Sequence, residues 1–356
     1  MGKLFEKMRK LDGAANIGSG LMEDCLQTPS PSVNWAFATP GNGLPYGTGM
    51  LLYGPPKGGK SIICNAFIGG LHAADPEAKA ITFNTELRAE MQTTDKQLAK
   101  FGIDPERFLA FDVNQPEFIF DRIENDINAA CQEGEKIKLI VIDSLTAIQG
   151  RRSMNSTSVM DQQIGDHALT ISVGLKRIMP VIRKHKIALI MTDHVRAEMD
   201  MRQQMRGKTI KMASGWATKH CAEFFCFVEP NLSKDGKLSL AGEEFTDPNL
   251  IDFMEKAQKI GRKIRFRVEE SSVGVEGRTA EFTLDYNKGI INQYEEVFTL
   301  AKNMGIIEKP NNVTYSYGDK NWRGLVACLT AIKEDALLRK ELLDKAIAKD
   351  RAALGF

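Results

Sequence analysis

The sequence predicts an α/β protein: a mainly parallel, twisted sheet flanked by helices, with an N-terminal helical arm and a small C-terminal helical lobe. Apolar runs of strand length alternate with helical stretches from residue 49 onward. Strands that are apolar throughout belong in a parallel sheet with both faces covered. A glycine-rich loop joins the first such strand to the helix after it, and two later strands end on carboxylates. Loop and carboxylates are therefore expected on one rim of the sheet.

In chain order, residues 1–13 are charged and periodic, with Leu4, Phe5, Met8 and Leu11 spaced for a short amphipathic helix over 3–11. Turn-rich residues follow at 12–20 and 27–32, so this part reads as an arm on a linker. Strands are expected at 50–53, 80–84, 108–112, 139–143 and 188–192. The later runs 224–228, 264–268 and 281–284 also have strand character, with a polar insert at 231–262, and are expected to extend the same sheet as antiparallel hairpins. From about residue 293 the spacing of Phe298, Leu300, Met304, Leu325, Leu329, Leu337 and Leu342 turns helical. The expected division is an arm and linker at 1–32, a core at 33–290 and a helical lobe at 291–356.

The chain has 356 residues, 43% hydrophobic and 26% charged, enough for one large core with a small second unit. Lys and Arg number 47 against 46 Asp and Glu, so nothing in the net charge argues for nucleic acid. Any such affinity must come from local clustering. The six cysteines show no CxxC spacing and no cluster with histidine, which points away from zinc and from a disulfide framework. Most are expected to be small buried side chains in a reducing cytoplasm. No apolar run reaches membrane-spanning length and the N-terminus lacks the apolar core of a signal peptide. A cytoplasmic protein without a membrane partner is expected.

The loop consists of Gly54, Pro55, Pro56, Lys57, Gly58, Gly59, Lys60 and Ser61, between a strand and an apolar helix. That is the context a phosphate loop requires. Its glycines let backbone N–H groups turn inward at a helix N-terminus, Lys60 neutralises the β- and γ-phosphates, and the Ser61 hydroxyl coordinates Mg²⁺. ATP is the expected ligand. Asp143, at the end of the apolar run 139–143, is expected to hold the Mg²⁺ shell. Glu86 ends another buried strand and is a candidate for the catalytic base that polarises the attacking water. By itself a glutamate at a strand end is usually a solvated loop charge or a helix cap.

Phosphate loop, strand ending in Glu86, strand ending in Asp143 and Ser144, and a strand ending in a polar residue follow one another in an order that resembles the RecA family. The last of these strands, 189–194, ends in His194, where bacterial members carry glutamine and the T4-type phage (UvsX-like) branch carries histidine. The resemblance therefore points to the phage branch. Local matches add to it at 43–47, 164–166, 214–219, 280–284, 288–290 and 314–318, so the likeness spans roughly residues 30–345.

The resemblance implies a RecA-like P-loop ATPase core and a DNA-dependent ATPase that forms a helical homo-oligomeric filament on single-stranded DNA. Such a protein pairs that strand with homologous double-stranded DNA and exchanges strands, using ATP and Mg²⁺. Single-strand-binding and mediator proteins are the further partners it implies. His194 would sense the γ-phosphate and report to the loop that follows, a structural histidine being the bland alternative.

By position, two DNA loops would fall at about 150–164 and 195–213. They carry Arg151 and Arg152, then Arg196, Arg202, Arg206, Lys208 and Lys211, against Glu198 and Asp200. Such cations bind phosphates without regard to sequence. The second segment reads alternatively as a solvated amphipathic helix. Lys219 and His220 would approach the neighbouring protomer's nucleotide, and helix 3–11 would dock on the next subunit.

Where the family places two cations that reach the adjacent γ-phosphate, this chain has Glu269 and Glu270. Arg265, Arg267 or Lys219 could substitute, or the two acids could hold a bridging cation. The tyrosine that stacks on adenine has no counterpart in 93–102. A ring-forming motor ATPase with the same core, and a noncatalytic mediator that binds ATP and DNA, are the competing functions.

Overall fold

The structure, a computed structural model, describes residues 22–87, 95–150, 166–197, 210–212, 221–231, 237–239 and 259–356. Strand β1 (Cys25–Leu26) pairs with β2 (Leu44–Pro45) around helix α1 (Pro31–Ala36). Ser30 starts that helix: its hydroxyl accepts from the Val33 amide, and Pro31 opens the first turn. The core then runs β3 (Gly49–Gly54), α2 (Lys60–Ala74), β4 (Lys79–Asn84), α3 (Asp95–Lys100), β5 (Phe108–Asp112) and α4 (Pro116–Asp121). A π-helical turn over Arg122–Ile127 leads into α5 (Asn128–Gln132), followed by β6 (Ile137–Asp143), α6 (Asp166–Lys184), β7 (Ala188–Ala197) and β8 (Ile210–Met212). Strands β9 (Phe224–Pro230), β10 (Lys237–Ser239), β11 (Lys259–Ser271), β12 (Thr279–Asp285) and β13 (Gly289–Ile291) complete it.

The main path of the sheet is β13-β12-β11-β9-β3-β7-β6-β4-β5, with β10 on β11 and β8 on β7. The block from β9 to β5 is parallel, and β11, β12 and β13 are antiparallel. The five strands expected before residue 193 are all present, and β7 continues five residues past its expected end at 192. As expected, β9 pairs antiparallel with β11; on its other edge it lies parallel to β3, with Met50 opposite Phe224 and Tyr53 opposite Phe227, and so joins the antiparallel strands to the parallel block. Its apolar run, buried from Phe224 to Val228, fits a strand covered on both faces.

Alternate residues of each strand feed two cores. Met50, Leu52, Val141 and Ile190 face α2, through Ile63 and Phe67. Leu51, Ile140, Ile142 and Met191 face α4 and α6, through Ile119, Ile171 and Leu175. Because the chain leaves β3 toward one face and β6 toward the other, the carboxyl ends of β3, β6 and β7 open on a crevice. The loop at residues 54–61 sits there.

After β13 come α7 (Gln293–Asn303), α8 (Leu325–Glu334) and α9 (Ala336–Leu354), packed on a third core that includes Val297, Phe298, Ile332 and Leu342. The expected helices are joined by a hairpin, β14 (Thr314–Tyr317) with β15 (Lys320–Arg323), so the lobe is not wholly helical. Tyr315 supplies the reason, since from β14 it packs edge-on against Phe298 at 5.4 Å. Cys64, Cys221, Cys226 and Cys328 are buried, and all six cysteines are free thiols. Among the described residues no helix is long and apolar enough to cross a membrane.

Candidate functional site

The loop is shaped by its own backbone. Gly58 N donates to the Pro55 carbonyl at 3.0 Å, and Gly59 turns left-handed at φ 108° to cap α2. Only glycine takes that conformation without strain. No side chain caps the helix, so its first-turn amides are left to an anion. Lys60 is buried, and its Nζ donates to the carbonyls of Gly54 at 3.0 Å and Pro55 at 3.1 Å. Burial pushes the Lys60 ammonium below its ordinary value, while Asp143, Glu86 and Asp193 pull the other way.

Ser61 Oγ donates to Asp143 Oδ2 at 2.6 Å, and Thr192 Oγ1 donates to Asp143 Oδ1. An alcohol and a carboxylate side by side at the foot of the loop are hard oxygen donors that suit Mg²⁺. The residues present therefore fit a magnesium nucleotide. Ser61 and Asp143 would hold the cation, and the loop amides and Lys60 the phosphates.

Glu86 and His194 meet across the rim. His194 Nε2 lies 2.6 Å from Glu86 Oε1, and His194 Nδ1 lies 3.3 Å from Lys60 Nζ. An ammonium can only donate, so Nδ1 is the acceptor and the ring hydrogen on Nε2 points at Glu86. Ser144 Oγ also donates to Glu86 Oε1, at 3.1 Å. Lys60, His194, Glu86 and Asp143, separated by up to 134 positions in the chain, thus form one continuous polar surface beside the loop.

Some participants lie outside what the sequence pattern shows. Thr85 Oγ1 takes the Ser144 amide at 2.7 Å and steadies the turn after β6. Thr146 Oγ1 donates to Asp193 Oδ1 at 3.1 Å, beside His194. Threonine in an apolar run reads as an ordinary strand former, so the only signal was the cluster of polar residues at the strand ends. A cavity of about 190 Å³ also opens next to Ser61 and Asp143, walled by Phe101, Phe108, Leu284 and Tyr286 among others. Of these walls only Phe101 lies within residues 93–102.

The candidate nucleic-acid residues are only partly in view. Arg151, Arg152, Arg202, Arg206, Lys208, Lys219, His220 and helix 3–11 lie outside the described residues. Arg196 is exposed on β7 and pairs in register with Lys211 on β8. Within the segment 195–213, residues 195–197 and 210–212 pair as an antiparallel ladder, and the residues between them lie outside the described ones. The strand that ends the site at His194 runs straight on into that ladder.

Glu269 sits on a bulge, between Val268 opposite Cys226 and Glu270 opposite Phe225. It accepts hydrogen bonds from Arg267 and from the hydroxyl of Tyr53, the residue just before Gly54. Arg267 in turn lies over Phe227, 5.5 Å from the ring centroid. Burial and the Glu269 carboxylate push the Tyr53 phenol well above its ordinary value. Within one chain, then, Glu269 braces the strand that carries the phosphate loop. Glu270 is exposed. Among the described residues no acidic, histidine or cysteine cluster is arranged to hold a metal.

Comparison with known proteins matches residues 6–245 to the family described as the RecA N-terminal domain. The RecA protein of Porphyromonas gingivalis is 24% identical over 344 residues, covering 96% of this chain and 91% of that protein. The RecA protein of Aquifex aeolicus is 24% identical over 327 residues, covering 92% and 84%. That of Mycoplasma mycoides is 24% identical over 304 residues, covering 85% and 78%. With the family match running through the phosphate loop, both carboxylate strands and the His194 strand, the chain belongs to the RecA family of DNA-dependent ATPases.

Proposed function

We propose that this chain is a homologous recombinase: with ATP it polymerises on single-stranded DNA as a helical filament, pairs it with homologous duplex and exchanges strands. One observation carries the reading. The chain from Lys60 through His194 to Glu86 is built on a strand that continues from His194 to Ala197, where Arg196 stands opposite Lys211. A change in what Lys60 and His194 bind is thus two residues from a cationic ladder. A strand whose register sets two cationic residue types opposite each other is a place where phosphates would bind.

Lys60 and the loop amides hold the phosphates, and Glu86 orients the water and takes its proton. Magnesium, when bound, would be held by Ser61 and Asp143 and would supply charge neutralisation to the phosphates. The cavity under Tyr286 takes the adenine. Arg151, Arg152, Arg202, Arg206, Lys208 and Lys211 join Arg196 on DNA. Lys219, His220 and Glu270 face the neighbouring copy, with residues 1–32 as the connecting arm, 33–290 as the core and 291–356 as the lobe. Histidine at position 194 favours the phage-type branch, working in a bacterial cytoplasm with single-strand-binding and mediator proteins.

Negative-stain microscopy with single-stranded DNA and an ATP analogue tests the reading. Helical filaments are expected, and closed rings would identify a motor instead. In a joint-molecule assay Lys60→Ala should form no product, since the phosphates lose their buried cation. Wild-type filaments that never yield joint molecules would point to a noncatalytic mediator.

A further inference from the structure

A closed circuit of polar contacts runs behind Glu86. Glu86 Oε1 is 3.1 Å from Ser144 Oγ, which is 3.2 Å from Thr146 Oγ1, which is 3.1 Å from Asp193 Oδ1. Asp193 Oδ1 also accepts from the His194 amide at 2.9 Å, and the His194 ring returns to Glu86. Ser144 and Asp193 have no exposed surface. Two hydroxyl protons serve three contacts between Glu86 and Asp193. If Ser144 donates to Glu86 and Thr146 to Asp193, the Ser144 to Thr146 contact holds no proton. One further proton, placed on Glu86, fills every contact, each hydroxyl donating one step onward.

We propose that Ser144 and Thr146 form a hydroxyl relay that carries the proton taken up by Glu86 to Asp193. The relay rests on the reading of Glu86 as the base. As the water oxygen bonds to the γ-phosphorus and the bond to the ADP oxygen breaks, the water's proton passes to Glu86. Glu86 gives it to Ser144, Ser144 gives its own proton to Thr146, and Thr146 gives its own to Asp193. Glu86 is again a carboxylate and Asp193 is neutral. The proton returns through the same hydroxyls to the departing phosphate, so atoms and charge balance. Thr146 and Asp193 touch no substrate and act only through Glu86.

The test uses the full chain on single-stranded DNA, with ATP turnover measured in mixtures of light and heavy water. Thr146→Val and Asp193→Asn keep shape but cannot pass or receive the proton. Both should lower kcat by about tenfold with the KM for ATP changed by less than about twofold. Thr146→Ser, which keeps the hydroxyl, should restore turnover. Wild type should give a curved dependence on deuterium fraction, from several protons in flight, and Thr146→Val a linear one. Full turnover in Thr146→Val, or a loss that Thr146→Ser does not repair, overturns the relay. Glu86→Gln separates the two ideas: if it turns over normally, the base assignment itself fails. If it is slow while Thr146→Val and Asp193→Asn are fast, only the relay fails.

Discussion

Gly54 leaves no room for a side chain, because a Cβ there would stand 2.0 Å from the carbonyl oxygen of Val228 on the neighbouring strand. Gly54→Ala should therefore push β9 away from β3, costing about 1–3 kcal/mol in urea unfolding, and should loosen the loop that begins at that residue. An unchanged midpoint would show that the two strands can part freely. The loop was readable from the sequence for a different reason: Gly58 and Gly59 answer to turn sterics that act within a few residues, the Gly58 amide closing on the Pro55 carbonyl and Gly59 turning left-handed. Lys60, Ser61, Glu86, Asp143 and His194 were legible because each sits at or beside the end of an apolar run. Thr146 and Asp193 were not, because a hydroxyl and a buried acid gain meaning only from partners 47 positions apart. Glu269 looked outward in the sequence, and in the fold its carboxylate is taken by Arg267 and Tyr53.

Between elements, the junction of α7 with α1 depends on one buried carboxyl. Glu296 Oε2 accepts from the hydroxyls of Ser30 and Ser32, both at 2.5 Å, and from the Ser32 amide at 3.1 Å, while its Oε1 is buried without a hydrogen-bond partner. Burial is the main cause that raises it from 4.5 to about 7, with Glu295 adding a little and the serine bonds opposing. The folded state thus holds this proton more tightly than the unfolded chain. Its contribution to stability is complete below the ordinary value and drains away as the pH rises through the folded one. That contribution is about 3 kcal/mol at most. Glu296→Gln, which keeps the acceptor and removes the titration, should match wild type near pH 5 and exceed it by roughly 1–3 kcal/mol near pH 8. Equal pH slopes in chemical unfolding of the two proteins would remove Glu296 as the cause. At this scale the parallel strands were legible because burial on both faces makes them apolar throughout. The parallel neighbour of β9 was not, since an apolar run does not say which strand lies beside it.

Across the whole molecule, the lobe is pinned to the core by a forked ion pair. Arg278, just before β12, donates to Asp350 on α9 through both terminal nitrogens at 2.9 Å, to the Trp35 carbonyl at 3.1 Å, and lies over the Trp35 ring. Both partners are 12% exposed, so removing one strands a charge that water reaches poorly. Arg278→Ala should cost about 3–5 kcal/mol and free α9 for proteolysis ahead of the core. Arg278→Met with Asp350→Leu should recover much of that loss, and failure of Arg278→Ala to destabilise would locate the anchoring elsewhere. By itself the sequence determined the sheet, the phosphate loop, the ends of the carboxylate strands and the family, because periodicity and steric rules act over short stretches of chain. Only the tertiary structure decided that Lys60, His194 and Glu86 touch, that Arg196 and Lys211 fall in register on neighbouring strands, and that Glu269 is engaged within its own chain. Those facts are distances between residues far apart in sequence, and such distances exist only once burial of the two sheet faces has brought the strands together.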